Sequence, residues 1–406
     1  MKCRHCGSPL CLPFVDLGFA PPSNAYLTVD QLEQPELTFP LKVMVCEQCW
    51  LVQTKDYAQA DDLFDKDYAY FSSTSKSWLE HAELFCEMAI GRFGLTTNSH
   101  VIEIASNDGY LLRNFVAASI ACLGIEPTQS TSEAAAKLGI PQCQAFFGQQ
   151  LAQQLKHDGK SADLIVANNV LAHVPDINDF CQGVATILKP QGVVSFEFPH
   201  LLNLIEQKQF DTIYHEHFSY LSLGTVQAIL AEQGLEVFDV EALTTHGGSL
   251  RIFAAHKGAQ SISASVELLQ AKENTFGLFR RETYLGFQTE IEQIKNDFLA
   301  FLLEAKSKGQ SVAAYGAAAK GNTLLNFAGV RPDLVSYVVD AAPSKQGKFL
   351  PGSHIPILPP SALREAPPDV LIILPWNIAD EIATQNQPLR AHGTQLAVVM
   401  PEIKLV

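Results

Sequence analysis

The chain is short of charge and of basic runs in particular. Charged residues make up 17% of its 406 positions, and 43 acidic against 28 basic side chains leave a formal net charge of −15. Without a Lys/Arg cluster a nucleic-acid partner is not expected, because phosphate backbones are held by basic patches. No stretch approaches the ~20 consecutive apolar residues that a spanning helix needs, so no membrane segment is expected. The opening Met1-Lys2-Cys3-Arg4-His5-Cys6 holds no apolar run of the kind a secretory signal requires. Nine cysteines are an odd number for a disulfide framework, and a chain this long does not depend on one; a reducing cytoplasm is the expected compartment. Neither G-x-G-x-x-G nor H-E-x-x-H occurs, which removes the usual signatures of dinucleotide binding and of zinc proteases.

What is present is a hydrophobic content of 47%, enough for well-buried cores, and a length that favours two or three domains. Residues 1–65 are rich in Pro and Cys. Residues 66–98 carry apolar side chains at helical spacing. From His100 to Pro199, strand candidates at His100–Ala105, Ala121–Glu126, Ala162–Ala167 and Val193–Phe198 alternate with helical stretches, the pattern of a parallel sheet covered on both faces. Glu236–Leu243 and Ser249–His256 read as a hairpin. Residues 263–308 form a helical connector or a helix pair. A second alternation follows, at Ser311–Tyr315, Leu334–Asp340, Asp369–Leu374 and Gln395–Met400. The fold class is therefore α/β: a small metal-held module (1–65), a Rossmann-like domain with a helical lead-in (66–262), a connector (263–308) and a Rossmann-like C-terminal domain (309–406).

Cys3-x-x-Cys6 and Cys46-x-x-Cys49 offer four thiolates, the closed tetrahedral set of structural zinc, with His5 and Cys11 as weaker substitutes. Glu103-Ile-Ala105-Ser106-Asn107-Asp-Gly109 runs from a strand into a helix. An acid ending the strand before a small-residue turn suits an adenosylmethionine enzyme, and Glu126, ending the next strand, stands where ribose hydroxyls are accepted. Asn168-Asn169 to His173 leaves the third strand in the same way. Tyr214-His215-Glu216-His217-Phe-Ser-Tyr220 is the densest set of ionisable groups. It reads as acid–base machinery, a metal pair on a strand, or a loop of hydrogen-bonded histidines ahead of a helix. Tyr315-Gly316-Ala-Ala-Ala-Lys320-Gly321-Asn322 is a phosphate cradle in physical terms: small residues, free N–H groups and one Lys.

Taken in order, these segments resemble the sugar C-methyltransferases of deoxysugar biosynthesis over nearly the whole chain. The Cys pairs, Tyr68-Ala-Tyr70-Phe-Ser72-Ser73, the Glu103 loop, Asn168 to His173, Tyr214 to Tyr220, Gly247-Gly248-Ser249-Leu-Arg251 and Tyr315 to Thr323 carry the resemblance. Ala105 departs from it, since the family's loop usually has Gly there. The resemblance implies adenosylmethionine and structural zinc as cofactors and a dTDP-linked 4-keto-deoxyhexose as substrate, methylated at C3 (C5 being the other usual site). It implies His217 as the base, Glu216 as a polarising group, and Tyr214, His173 and Tyr68 as groups that hold the sugar and its enolate. Ser72, Glu103, Ala105, Ser106, Asn107, Gly109, Glu126, Asn168 and Asn169 are then cofactor contacts. Tyr220, Ser249, Arg251, Tyr315, Lys320 and Asn322 are substrate contacts, the last three at the diphosphate. The protein is expected to act as a monomer. Rival readings are an NAD(P)-dependent nucleotide-sugar oxidoreductase, with Asp340 as its ribose acid, and a non-catalytic zinc-ribbon interaction protein.

Overall fold

The computed structural model describes residues 1–55 and 71–406. Three sheets organise them. The N-terminal sheet joins Leu12–Ala20, Phe39–Val45 and Val52–Thr54 in antiparallel succession. Its fourth strand is Ser219–Tyr220, paired through Val52 to Tyr220 and Gln53 to Ser219. Residues 214–218 form the loop of hydrogen-bonded histidines that was one expectation, ahead of helix Leu223–Glu232, and only Ser219–Tyr220 between them enters the sheet.

The central sheet has seven strands in the order Leu235–Leu243, Ser249–His256, Leu188–Pro199, Ala162–Asn168, His100–Ile104, Ala121–Ile125, Gln142–Cys143. The five from Leu188–Pro199 onward are parallel, and the first two form the expected antiparallel hairpin. Leu188 begins a strand where it was expected to end a helix, so this strand is twice the expected length; helix Ile177–Ile187 stops at Leu188, which is extended at ψ 132°. The chain moves outward from His100–Ile104 on one side and returns on the other through Ala162–Asn168. That reversal opens a crevice at the carboxyl ends of the two strands, the usual ligand site of such sheets.

Helices Ala264–Phe276 and Phe287–Ser307 form the connector as a pair, separated at Gly277 and Gly286, both at positive φ. They lead into a six-stranded sheet ordered Ile357–Leu358, Val338–Val339, Val312–Tyr315, Val370–Ile373, Gln395–Val398, Lys404–Leu405. Its reversal lies between Val312–Tyr315 and Val370–Ile373, so a second crevice opens at Tyr315-Gly316 and Leu374-Pro375-Trp376. Gly316 is held there at φ 95°, with its missing Cβ 2.6 Å from Pro375.

The largest core joins the N-terminal sheet, the connector and the C-terminal domain to the 201–220 segment, with Leu12, Phe14 and Val43 packed in one cluster with Phe210, Phe298 and Leu325, while the central sheet buries its own clusters. Trp376 reaches across to the central domain, where a Cβ on Gly247 (φ 88°) would stand 2.3 Å from its ring. Gly247→Ala is therefore expected to destabilise the protein by roughly 2 kcal/mol, by overpacking and by an unfavourable left-handed backbone. A urea unfolding midpoint equal to wild type would contradict this account of the Gly247–Trp376 contact.

Candidate functional site

The four predicted thiols converge. The Sγ atoms of Cys3, Cys6, Cys46 and Cys49 all lie within 4.8 Å of one another, with Cys3 to Cys49 and Cys6 to Cys46 each at 3.5 Å. A tetrahedron with Zn–S bonds of about 2.3 Å has edges of about 3.8 Å, so the set matches structural zinc with no position left open. His5 and Cys11 stand outside it: His5 Nδ1 bonds Asn178 Oδ1 at 2.8 Å, and Cys11 is exposed. Gln53 Nε2 donates to Cys3 Sγ at 3.1 Å, and the same Gln53 accepts from Arg4 N at 2.9 Å. Arg4 in turn reaches Pro175 O, Thr54 O and the face of Phe218. The metal module is thereby fastened to the segments on either side of His173 and His217.

At the central crevice the loop Glu103–Gly109 leaves its strand in a strained path. Ala105 and Asn107 have φ of 55° and 49°, and Gly109, at 80°, has no room for a Cβ beside Ile140. Glu126 is buried and ties the loop down: its Oε2 accepts from Asn107 N at 3.0 Å, and its Oε1 from Thr128 N at 2.9 Å. Ser72 N donates to Asn107 Oδ1 at 2.9 Å, bringing the lead-in segment onto the loop, and Ser106 Oγ donates to Gln142 Oε1. Glu103 is buried, with Oε2 making no hydrogen bond among the described residues; desolvation, with Glu126 nearby, pushes its carboxyl well above the usual range. Asn168 Oδ1 and Asn169 Oδ1 are likewise buried acceptors without partners among the described residues. Orphaned buried acceptors at a sheet reversal are what a ligand bearing an ammonium group and ribose hydroxyls would satisfy, so the residues fit adenosylmethionine.

The segment Phe210–Tyr220 lies beside that crevice and is held from three directions. Its own backbone fixes His217, whose Nδ1–H donates to Thr212 O at 2.8 Å. Nε2 is left as the acceptor nitrogen. The N-terminal module holds His215 through Phe39 O (3.2 Å) and Glu216 Oε1 through Asn24 Nδ2 (3.2 Å). The C-terminal domain holds Ile213 O through Thr323 Oγ1 (2.9 Å) and Asp211 Oδ2 through Trp376 Nε1 (2.7 Å). Around His217, the rings of Tyr214, His173 and Tyr220 lie at 3.9, 4.6 and 6.1 Å between centroids. Burial, then the neighbouring His173, holds the His217 imidazole well below its ordinary value, and burial brings His173 down to about 4. Both are neutral at pH 7. Burial also raises the Glu216 carboxyl, whose Oε2 has no partner among the described residues.

Several side chains that the sequence did not single out belong here. His246, at φ 54°, accepts from Asn169 Nδ2 at 3.3 Å and is brought to about 4 by burial and then by Lys320. Glu197 is fully buried and gathers His81 Nε2 (2.8 Å), Arg251 (2.8 Å) and Thr245 Oγ1 (2.9 Å). Burial alone would raise Glu197, but His81 and Arg251 outweigh it and hold the carboxyl below its usual value. A lone acid in the apolar strand Val-Val-Ser-Phe-Glu197-Phe was the signal available for it. Asp211 and Asn24 carried none.

Other expected substrate contacts fall elsewhere. The Arg251 guanidinium is committed to Glu197 and Glu241 and stacks on Phe85, so it is engaged inside the sheet before any diphosphate arrives. Ser249 Oγ donates to Thr245 O. Asn322 is buried and donates to Ser23 O, fastening the N-terminal module. Tyr315 is half-buried at the second crevice, next to Trp376. Lys320 sits over the Trp376 ring at 4.6 Å, on the side of Asp211 and the histidines. Tyr68 lies outside the described residues. Asp340, the ribose acid of the oxidoreductase reading, is taken up by Ala317 N, Ala342 N and Lys345, which disfavours that reading.

Three family models match in chain order: a zinc-binding domain at residues 3–64, a methyltransferase domain at 78–240 and a C-methyltransferase C-terminal domain at 244–401. The C-methyltransferase NovU of Streptomyces niveus is 32% identical over 406 residues, spanning all of this chain and 96% of its own length. Among solved structures, the Haloferax volcanii complex of the Trm112 activator with a methyltransferase is 13% identical, with a TM-score of 0.37 over 45% of this chain and 94% of that one. Magnesium protoporphyrin IX methyltransferase of Synechocystis with bound SAM is 12% identical, with a TM-score of 0.35 over 44% and 79%. No helix of the described residues is long and apolar enough to cross a membrane.

Two outcomes are expected. Cys46→Ser should abolish stoichiometric zinc by elemental analysis and melt the N-terminal module, since structural zinc supplies folding energy; unchanged zinc content and an unchanged melting curve would exclude the four-thiolate site. Ala105→Gly should raise stability by about 1 kcal/mol in urea titrations, because the left-handed conformation costs a Cβ-bearing residue roughly that much. Loss of stability in this variant would show the strain reading to be mistaken.

Proposed function

We propose, because the chain belongs to the C-methyltransferase family, that it methylates C3, the carbon beside the ketone, of a dTDP-linked 4-keto-deoxyhexose with S-adenosylmethionine as donor. The observation that carries this reading is the His217 tautomer. With Nδ1–H committed to Thr212 O, the Nε2 lone pair is available at neutral pH in a pocket walled by Tyr214, His173 and Tyr220. A neutral buried imidazole is the group suited to take a proton from a carbon acidified by an adjacent carbonyl.

The bound cofactor supplies an electrophilic methyl on a sulfonium. Glu103, Glu126, Asn168 and Asn169, with the Ala105–Gly109 backbone and Ser72, hold it at the central crevice. His217 Nε2 accepts the C3 proton, and the electron pair of the broken C–H bond passes into the enolate. Tyr214 and His173, with Tyr68, stabilise the enolate oxygen, and the Glu216 carboxyl polarises the same site. With the cofactor bound, the enolate carbon would take the methyl it supplies, the sulfur keeping the bonding pair, and the ketone would be restored. The proton on His217 is released to solvent on turnover. Residues 1–65, 66–262, 263–308 and 309–406 are the units of this reading, acting within a monomer.

His217→Asn is expected to lower turnover by roughly 10²–10⁴-fold, the usual worth of a positioned base, with adenosylmethionine affinity near wild type. Wild-type turnover in that variant, or a mass spectrum without a 14-Da product from any of a panel of dTDP-4-keto-sugars, would remove the proposal. Because burial favours neutral His217, the acid limb of kcat/KM should lie well below pH 6.5. His173 and His217 bind protons in the unfolded chain below pH 6.5 but not in the folded one, so their stabilising contribution is complete above pH 6.5 and declines as pH falls toward 4.

A further inference from the structure

Trp376 stands at the reversal of the C-terminal sheet but makes its polar bond to the central domain. Its indole Nε1–H donates to Asp211 Oδ2 at 2.7 Å, while its ring face carries the Lys320 ammonium 4.6 Å from the centroid. Asn377 Oδ1 accepts from Lys320 Nζ at 3.1 Å. The side chain is half-buried and makes no ion pair among the described residues. Asp211, which holds the indole, is only 1% exposed, with Oδ1 unpartnered among the described residues, and its charge favours the Lys320 ammonium. Trp376 bonds Asp211 and Thr323 bonds Ile213, the residues on either side of Thr212, whose carbonyl holds His217, so the helix start bearing Lys320 faces the histidine cluster. The loop bearing it has little freedom to move away: Gly316 is pinned against Pro375, and Gly321 has Leu374 2.8 Å from where a Cβ would stand. An aromatic face and one amide leave two of the three ammonium protons to be used, and a phosphate oxygen beside a sugar ketone would use them.

We propose that Asp211 and Trp376 are positioning residues that hold the Lys320 ammonium at the rim of the His217 cluster, where it receives the diphosphate of the substrate. This deepens the nucleotide-sugar reading above and rests on it. The indole is the shared element: one edge is locked to a buried carboxylate of the central domain, so its face presents the cation in one place only. The second crevice then serves the first, and the C-terminal domain contributes an anion site to a reaction carried out next door.

The test is titration calorimetry of dTDP against the zinc-loaded full chain. Wild type is expected to bind. Lys320→Met should weaken binding on the order of 30-fold, the usual loss of a charge-assisted hydrogen bond, and Lys320→Arg by less than about fivefold, because the charge is kept. Trp376→Phe keeps the ring and loses the N–H; it and Asp211→Ala should each weaken binding about tenfold, and the double variant no further, since both remove one bond. Adenosylmethionine affinity should stay at the wild-type value throughout, separating these losses from misfolding. Equal dTDP affinity in wild type and Lys320→Met overturns the inference alone. So do Arg and Met variants that fall equally, and an unchanged Trp376→Phe. A wild-type chain that binds no dTDP overturns the nucleotide-sugar reading together with it.

Discussion

The arrangement depends on how the eleven residues from Phe210 to Tyr220 are held. A histidine can act as a carbon base only if its ring nitrogen is dry, neutral and correctly aimed, and each condition costs free energy. No single domain here meets all three. The Thr212 carbonyl sets the tautomer; the zinc module supplies the strand partner, Asn24 and the Phe39 carbonyl; the C-terminal domain supplies Thr323, Trp376 and Lys320. Burial common to all three lowers the basicity of the imidazoles while raising the acids Glu216 and Asp211, the latter to about 6. Burial thus favours the uncharged form of the imidazoles His173 and His217 where they meet.

That arrangement links a closed four-thiolate site to the segment bearing His217. Four thiolates order a sheet too small to fold on hydrophobic burial alone, and the last strand of that sheet carries residues of the candidate catalytic segment. Arg4, between Cys3 and Cys6, bridges the module to Pro175 and Phe218. The four-cysteine module is thereby tied to the His217 segment through backbone pairing and Arg4, not through a shared ligand.

Local patterns were legible in the sequence, and long-range pairings were not. The paired Cys-x-x-Cys motifs, the strand–turn–helix at Glu103 and the alternation that gives two open sheets all rest on short-range spacing, and the structure places them where that spacing puts them. Ser219–Tyr220 could not be read as a strand, because two residues carry no period and their partner is Val52–Gln53. Arg251 was expected to contact substrate because its partner Glu197 is adjacent only after strands pair. Asp211 and Trp376, distant in sequence, are joined by one hydrogen bond that no spacing rule anticipates.

The borrowed strand has a consequence for how the chain is made. When the first 55 residues leave the ribosome they can close their metal knuckle, but the open edge of Val52–Thr54 stays unpaired until Ser219 has been synthesised. An exposed strand edge is a template for pairing with the wrong chain. Metal loading comes early and sheet completion late, so nascent chains spend much of translation with a finished clasp and an unfinished seam. Slow elongation through the central domain would lengthen the time in which aggregation competes with native closure.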